Sequence, residues 1–154
     1  MAIWQYDFEL VPRTGYQKRP AEGARRCDEA RPVTNCWENT AVPPELEPRL
    51  STLLPPGESW STSVRVWGAS DGDRVDLCFE EQRLVEFNVR LDLRYPSGEF
   101  FHGILCIARE YGYLVRTPGG RLLEPDATSV LSDIVKSPAA AFVKDPHGFI
   151  QGLQ

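Results

Sequence analysis

Long hydrophobic runs are missing from this 154-residue sequence. Its apolar stretches are short and interrupted, and none approaches the roughly 20 residues that a helix needs to cross a bilayer. The first residues, from Met1 to Asp7, contain neither the basic region nor the apolar region of a secretory signal peptide. The sequence therefore predicts no membrane partner, and we expect the protein to be cytoplasmic.

The common catalytic signatures are also missing. The sequence contains no G-x-S-x-G nucleophile elbow, no G-x-x-x-x-G-K-[ST] phosphate loop, no G-x-G-x-x-G dinucleotide motif and no H-E-x-x-H metalloprotease motif. Cys27 and Cys36 are separated by eight residues, not by the about two to four of a zinc knuckle. We therefore predict no cofactor and no metal, and an enzyme is the less favoured class.

Positive charge is too scarce for a protein that would bind nucleic acid. Seventeen Lys and Arg residues stand against 22 Asp and Glu residues, which gives a net charge of -5 and a pI near 5.1. This acidic balance disfavours binding to phosphate backbones and to anionic membranes. Only three of the basic residues are Lys, a bias towards Arg that indicates GC-rich coding and hence a bacterial protein.

Charge is also distributed unevenly along the chain. Residues 13–35 form a polar segment interrupted by Gly and Pro, which predicts a basic loop or arm. Six basic against three acidic residues give this segment a charge of about +3 and leave about -8 for the rest of the chain. An acidic body of this kind predicts that a protein partner, where there is one, is basic.

The composition is that of a globular domain. Hydrophobic residues make up 42% of the chain and charged residues 25%, so the protein can bury a core. We predict a single α+β domain over residues 1–154, because most domains contain about 100 to 200 residues. Strands and helices do not alternate regularly, which predicts one mainly antiparallel sheet of about 4–5 strands with helices packed on one face.

Alternating polar and apolar residues predict the strands. They cover residues 3–11, 60–66, 75–79, 85–95 and 113–116. The longest alternation predicts that every second residue from Val85 to Tyr95 faces the core. Short links between the three middle strands predict an antiparallel meander, and an unpaired edge strand could support a homodimer.

Helices are predicted where apolar residues repeat at helical spacing after a capping residue. A stripe of Leu residues from Leu46 to Leu54 predicts a short helix that ends at residues 55–57, Pro-Pro-Gly. The principal core helix is expected to end near Gly112. The expected N-caps of this helix and the three that follow it are Ser97, Asp126, Ser137 and Asp145. The last two helices are expected to bury Phe142, Val143, Phe149, Ile150 and Leu153.

The polar face of the sheet is the feature most informative about function. If the strands pair as predicted, carboxylates and Arg side chains project together from the side away from the helices. We predict that this face binds a protein partner. Trp67 is expected on this face, because it lies at an odd position of the strand whereas Val64 and Val66 lie at even positions. An aromatic side chain among charges is typical of a binding hot spot. The predicted partner-binding residues are Arg65, Trp67, Glu86, Arg90, Asp92 and Arg94.

Other interpretations of the same residues are open. Opposite charges could simply pair across the strands of a solvated surface. Alternatively, the carboxylates and Arg side chains could serve a small enzyme or a small-molecule-binding domain, in which one carboxylate has a raised pKa. His102 and Cys106 lie one turn apart on the predicted core helix, a spacing that allows metal binding or thiolate activation but does not by itself make a site.

Two segments carry a resemblance to small uncharacterised bacterial proteins. They are residues 86–92, EFNVRLD, which follow the predicted hairpin, and the tail from residue 137, S-x-A-x-x-F-V-x-D-P-x-x-F-I. Some small α+β proteins of this general kind serve as immunity partners in toxin systems. The resemblance implies a fold type and no site residues. The missing signal peptide and the acidic body fit a cytosolic inhibitor that neutralises a basic enzyme, which is the function we expect.

Overall fold

A single antiparallel sheet organises the protein, whose residues 2–17 and 36–152 are described by a computed structural model. The strands in these residues are β1 (Gln5–Pro12), β2 (Val64–Gly68), β3 (Arg74–Glu80), β4 (Arg83–Asp92), β5 (Tyr113–Arg116) and β6 (Leu122–Leu123). The helices are α1 (Arg13–Gln17), α2 (Leu46–Leu53), α3 (Gly98–Tyr111), α4 (Ala127–Val135), α5 (Pro138–Lys144) and α6 (Pro146–Gln151). The predicted α+β class with one antiparallel sheet is confirmed, with six strands.

The strand order is β2-β3-β4-β1-β5-β6. The meander predicted for the middle strands is confirmed, since β3 pairs with both β2 and β4. β1 inserts between β4 and β5, with Asp7 opposite Arg90 and Glu9 opposite Arg116. The additional strand, β6, has only two residues, too few to show an alternation in the sequence.

One side of the sheet, the helix side, carries the core. The alternating residues Tyr6, Phe8 and Leu10 of β1 lie there and are almost fully buried. They belong to one hydrophobic cluster that also contains buried residues of β3, β4, α2, α3 and α4. Period-two alternation in the strands and 3.6-residue spacing in the helices bring these apolar faces together.

The predicted helix caps are confirmed. Ser97 accepts a hydrogen bond from the Phe100 amide, and Gly112 ends α3 in the left-handed conformation with a φ of 73°. The N-caps of α4, α5 and α6 likewise accept from the third residue of each helix and are Asp126, Ser137 and Asp145. None of the helices in residues 2–17 and 36–152 has the length and apolar character needed to cross a bilayer.

Several sequence-based expectations are wrong in detail. Within the segment 13–35, residues 13–17 form the helix α1 and not a loop, and residues 18–35 lie outside the described part of the chain. β4 ends at Asp92, so Tyr95 lies beyond it and is exposed. A register shift between Cys78 and Phe79 makes Leu84, rather than Val85, the buried residue at the start of β4.

The C-terminal helices are also less buried than expected. α6 buries none of its residues, and Ile150 is half exposed. Phe142 nevertheless lies against Trp4, with ring centroids 6.5 Å apart, and Phe149 packs on Phe142. Leu153 lies outside the described residues. Aromatic contacts therefore attach these short helices to the start of the sheet.

Candidate functional site

The side of the sheet opposite the helix side carries a continuous set of polar side chains, which we call the open face. Its members come from four neighbouring strands and are Asp7, Glu9, Arg74, Asp76, Glu86, Asn88, Arg90 and Arg116. All but Glu86 line a depression of about 460 Å³, bounded on one side by the turn at residues 117–120. Because residues directly opposite each other in an antiparallel pair point to the same side, the register alone brings these side chains together.

The register arranges the open face in rows across the strands. One row runs from Asp76 through Asn88 and Glu9 to Arg116. The row beside it places Arg74 opposite Arg90, which is in turn opposite Asp7. Like charges directly opposite each other are unfavourable, so Arg74 and Arg90 depend on the carboxylates around them.

Each Arg of the open face is engaged by a carboxylate. The Nε of Arg90 donates to Asp7 over 2.9 Å, and the Nε of Arg74 donates to Asp76 over 2.8 Å. Arg116 forms an ion pair with Glu9. The guanidinium of Arg90 also donates from Nη1 to the Ser70 carbonyl over 3.3 Å.

Glu86 and Cys78 extend the open face beyond these rows. Glu86 is exposed and accepts a hydrogen bond from the Asn88 amide over 3.1 Å, and no described cation pairs with it. Burial, together with the negative charges of Glu86 and Asp76, raises the pKa of the neighbouring Cys78 thiol to about 11. This raised pKa disfavours the reactive thiolate form of Cys78.

The structure places only part of the predicted partner-binding set on the open face. Glu86 and Arg90 lie there as expected. The expected position of Trp67 is wrong, because Trp67 lies opposite Val75 on the helix side. Its side chain is buried, with 5% of the residue exposed, and its indole N–H donates to Ser51 over 2.9 Å. Arg65 also lies on the helix side, where it pairs with Glu47 of α2.

These two residues were misplaced because both sides of β2 are buried. Val64 and Val66 share the side of Asp76, and Gly57 lies directly against Val66. The backbone of residues 55–57 also bonds to the outer edge of β2, through Gly57 N–H to the Val66 carbonyl over 2.8 Å. The alternation of Val64 and Val66 therefore marked a buried side of β2, but one that is covered by residues 55–57 and not by the helices.

Asp92 and Arg94 form a separate pair at the end of β4. Asp92 is 4% exposed and accepts two bonds from the Arg94 guanidinium, over 3.0 and 2.8 Å. These bonds hold the pKa of the Asp92 carboxyl below its usual value. The Arg94 guanidinium also lies 4.3 Å from the centre of the Trp4 ring, a cation–π contact.

Sequence reasoning missed two members of the open face, Arg74 and Arg116. Arg74 lies two residues before Asp76, so the alternation that placed Asp76 could have placed it too. Arg116 lies opposite Glu9 only because β5 pairs with β1, a contact between distant segments that leaves no local signal in the sequence.

His102 and Cys106 have different neighbours. Cys106 accepts a bond from Arg109 over 3.1 Å, while the exposed His102 lies beside Phe101, with ring centres 5.5 Å apart. Within residues 2–17 and 36–152, no group of three or more His, Cys, Asp or Glu side chains could hold a metal ion.

Comparison with known proteins identifies no relatives of this chain. No protein-family model matches the sequence, and neither a curated protein nor a solved structure is significantly similar to it.

Proposed function

We propose that this protein is a non-enzymatic, cytoplasmic binding protein that engages a protein partner through the open face. The observation that supports this function is the ordered arrangement of the eight polar side chains of that face across four strands. Such rows offer a partner both donors and acceptors at fixed positions, held by the sheet and not by flexible loops. Planar guanidinium groups present their N–H donors in a fixed geometry, which is well suited to this kind of recognition.

The charge of the open face favours a basic partner. Four carboxylates stand against three Arg residues there, and the whole chain carries a net charge of -5. Glu86 is exposed and has no described cationic neighbour, so a Lys or Arg of the partner would complete its pairing. In its specific form, suggested by the sequence resemblance, the proposal is that the partner is a basic toxin enzyme that binding inactivates.

Catalysis on the open face is the weaker alternative. A general acid or base must exchange its proton during the reaction. Asp7, Asp76 and Glu9 each form an ion pair with an Arg, and carboxylates that are already engaged in this way suit a structural or recognition role. This arrangement favours binding over acid–base chemistry.

The partner is best sought by purification from the bacterial host. A tagged copy should retain a stoichiometric basic protein at low salt and lose it at high salt, because opposite charges on the two surfaces are screened. Mass spectrometry identifies the retained protein. The purified pair then provides the binding assay for variants.

The decisive variant is Asn88→Arg. Asn88 lies in the centre of the open face between Asp76 and Glu9, so the new guanidinium has two carboxylates to pair with and the fold should be preserved. The added side chain fills the depression and obstructs the partner, so we expect at least a tenfold loss of affinity, or about 1.4 kcal/mol. Asn39→Arg, in an exposed turn that does not line the depression, is the matched control.

Two results would overturn the proposal. The first is an Asn88→Arg protein that unfolds like the wild type and still binds the partner with unchanged affinity. The second is equal loss of affinity in Asn88→Arg and Asn39→Arg, which would mean that added positive charge, and not the open face, determines binding.

A further inference from the structure

A second concavity lies on the other side of the sheet, between the end of β4 and the helices α3, α4 and α5. We call it the helix-side groove. It has a volume of about 450 Å³, which is within the roughly 300–1,000 Å³ range of small-molecule sites. Its walls are mainly apolar and include Leu91, Phe101, Ile134 and Val143. An apolar concavity of this size favours a ligand with an apolar body.

Two carboxylates, Asp73 and Asp92, line this groove and differ in their partners. Asp92 is neutralised by Arg94, as described above. Asp73 is half-buried and accepts the Asp92 backbone N–H over 2.8 Å, but no cation among the described residues pairs with it. Burial, together with the negative charge of Asp92, raises the pKa of Asp73 above its usual value. A partly buried charge without a counter-ion is less well solvated than an exposed one, so a ligand that supplies the counter-ion gains free energy on binding.

The groove also has two basic residues, Lys144 and His102, but both are exposed to solvent. Water already solvates these side chains, so a ligand anion would gain little by pairing with them. Asp73 is therefore the charged side chain of the groove that is partly buried and has no described cationic partner. The net charge of -5 on the chain acts in the same direction, since it attracts cations and repels anions.

We propose that the helix-side groove binds a small amphipathic cation, with its apolar body against Leu91, Phe101, Ile134 and Val143 and its ammonium group paired with Asp73. This site is separate from the open face and does not depend on the proposed protein partner. It assigns the protein a ligand class, an organic amine with an aryl or alkyl body.

The test uses three ligands that share one skeleton and differ only in the head group: 4-phenylbutylamine, 4-phenylbutanol and 4-phenylbutyrate. Their binding to the full chain is measured by isothermal titration calorimetry at neutral pH. We expect the amine to bind at least about tenfold more tightly than the alcohol, since a charged ammonium donor forms a stronger hydrogen bond with a carboxylate than a neutral hydroxyl does. The carboxylate should bind most weakly, because it would approach Asp73 with a like charge.

Asp73→Asn separates the role of the charge from that of the groove. The Asn side chain keeps an oxygen that can accept the Asp92 N–H, so the turn should be preserved. In this variant we expect amine affinity to fall to that of the alcohol, with alcohol affinity unchanged. Asp71→Asn is the matched control, because Asp71 is exposed in the same turn and does not line the groove. It should bind the amine like the wild type.

Four outcomes would overturn this assignment. They are tightest binding of 4-phenylbutyrate, equal affinity for all three ligands, no binding of any of them at millimolar concentration, and equal loss of amine and alcohol binding in Asp73→Asn. Failure of the protein-partner proposal would leave these titrations unaffected, since they involve no residue of the open face.

Discussion

The depression on the open face and the helix-side groove have almost the same volume, about 460 and 450 Å³, yet their chemistry is opposite. On the open face, Asp7, Glu9 and Asp76 are each matched by an Arg, and the surroundings are polar. In the helix-side groove the walls are apolar, and Asp73 has no described cationic partner. Paired charges form a surface that is stable by itself, whereas a partly buried charge without a cationic partner is a place where a ligand can add stability.

The largest effect is expected when an aromatic side chain is removed from the wall of the helix-side groove. Phe101 lines the groove and also belongs to the hydrophobic core, with 8% of its surface exposed. We expect Phe101→Ala to lower the free energy of unfolding by about 3–4 kcal/mol, because it removes buried area and leaves a cavity. The measurement is equilibrium unfolding in urea.

Tyr95→Ala is the control for this substitution, since Tyr95 is an aromatic residue with 77% of its surface exposed. Its effect should stay within about 0.5 kcal/mol. A similarly small effect of Phe101→Ala would show that the groove wall is not part of the core, and the contrast between the two concavities would lose its basis.

The sequence predicts the parts of this fold that depend on local patterns. Helix caps such as Ser97 and Asp126 require only neighbouring residues, and both were predicted correctly. The orientation of β1 was also predictable, because only one of its sides is strongly apolar along Tyr6, Phe8 and Leu10. β2 has Val66 on one side and Trp67 on the other, both buried, so the same reasoning failed there.

The two concavities differ in how far sequence could predict them. The polar character of the open face follows from the alternation in β1, β3 and β4, although Arg116 joins it only through long-range pairing. The helix-side groove had no sequence signal, because its residues come from one strand end, one turn and three helices. Asp73 in particular follows Asp71 and Gly72 and has the sequence of an ordinary turn. Its significance arises from burial, which no local pattern records.

Asp92 and Asp73 should affect the pH dependence of stability in opposite directions. Bonds from Arg94 lower the pKa of Asp92, so its stabilising contribution is present above the usual Asp pKa and is lost as the pH falls through the lowered value. Burial raises the pKa of Asp73, so its carboxyl group binds a proton more tightly in the folded protein than in the unfolded chain. Stability therefore falls as the pH rises from the usual Asp pKa through the raised one.

Two matched variants test this difference in sign. At neutral pH, Asp92→Asn should lower the free energy of unfolding by about 1 kcal/mol, since it weakens hydrogen bonds to a charged group. Asp73→Asn should leave it unchanged or raise it, because the uncompensated charge is removed. Both differences should diminish in acid, when urea unfolding is repeated down to pH 3. Destabilisation of the same size by both substitutions would refute the distinction between a paired and an unpaired carboxylate.

The smallest expected effect concerns the ion pairs of the open face. Asp7 and Arg90 lie directly opposite each other, their side chains are both 26% exposed, and the Nε–Oδ1 distance is 2.9 Å. A double-mutant cycle with Asp7→Ala and Arg90→Ala should give a coupling energy of about 0.3–1 kcal/mol, reduced by added salt. The more exposed pair Arg13 and Glu124 should show a smaller coupling in the same type of cycle. If the cycle gives no coupling energy between Asp7 and Arg90 at low salt, these charges do not stabilise the fold. Their ordered arrangement would then argue more strongly for recognition of a partner.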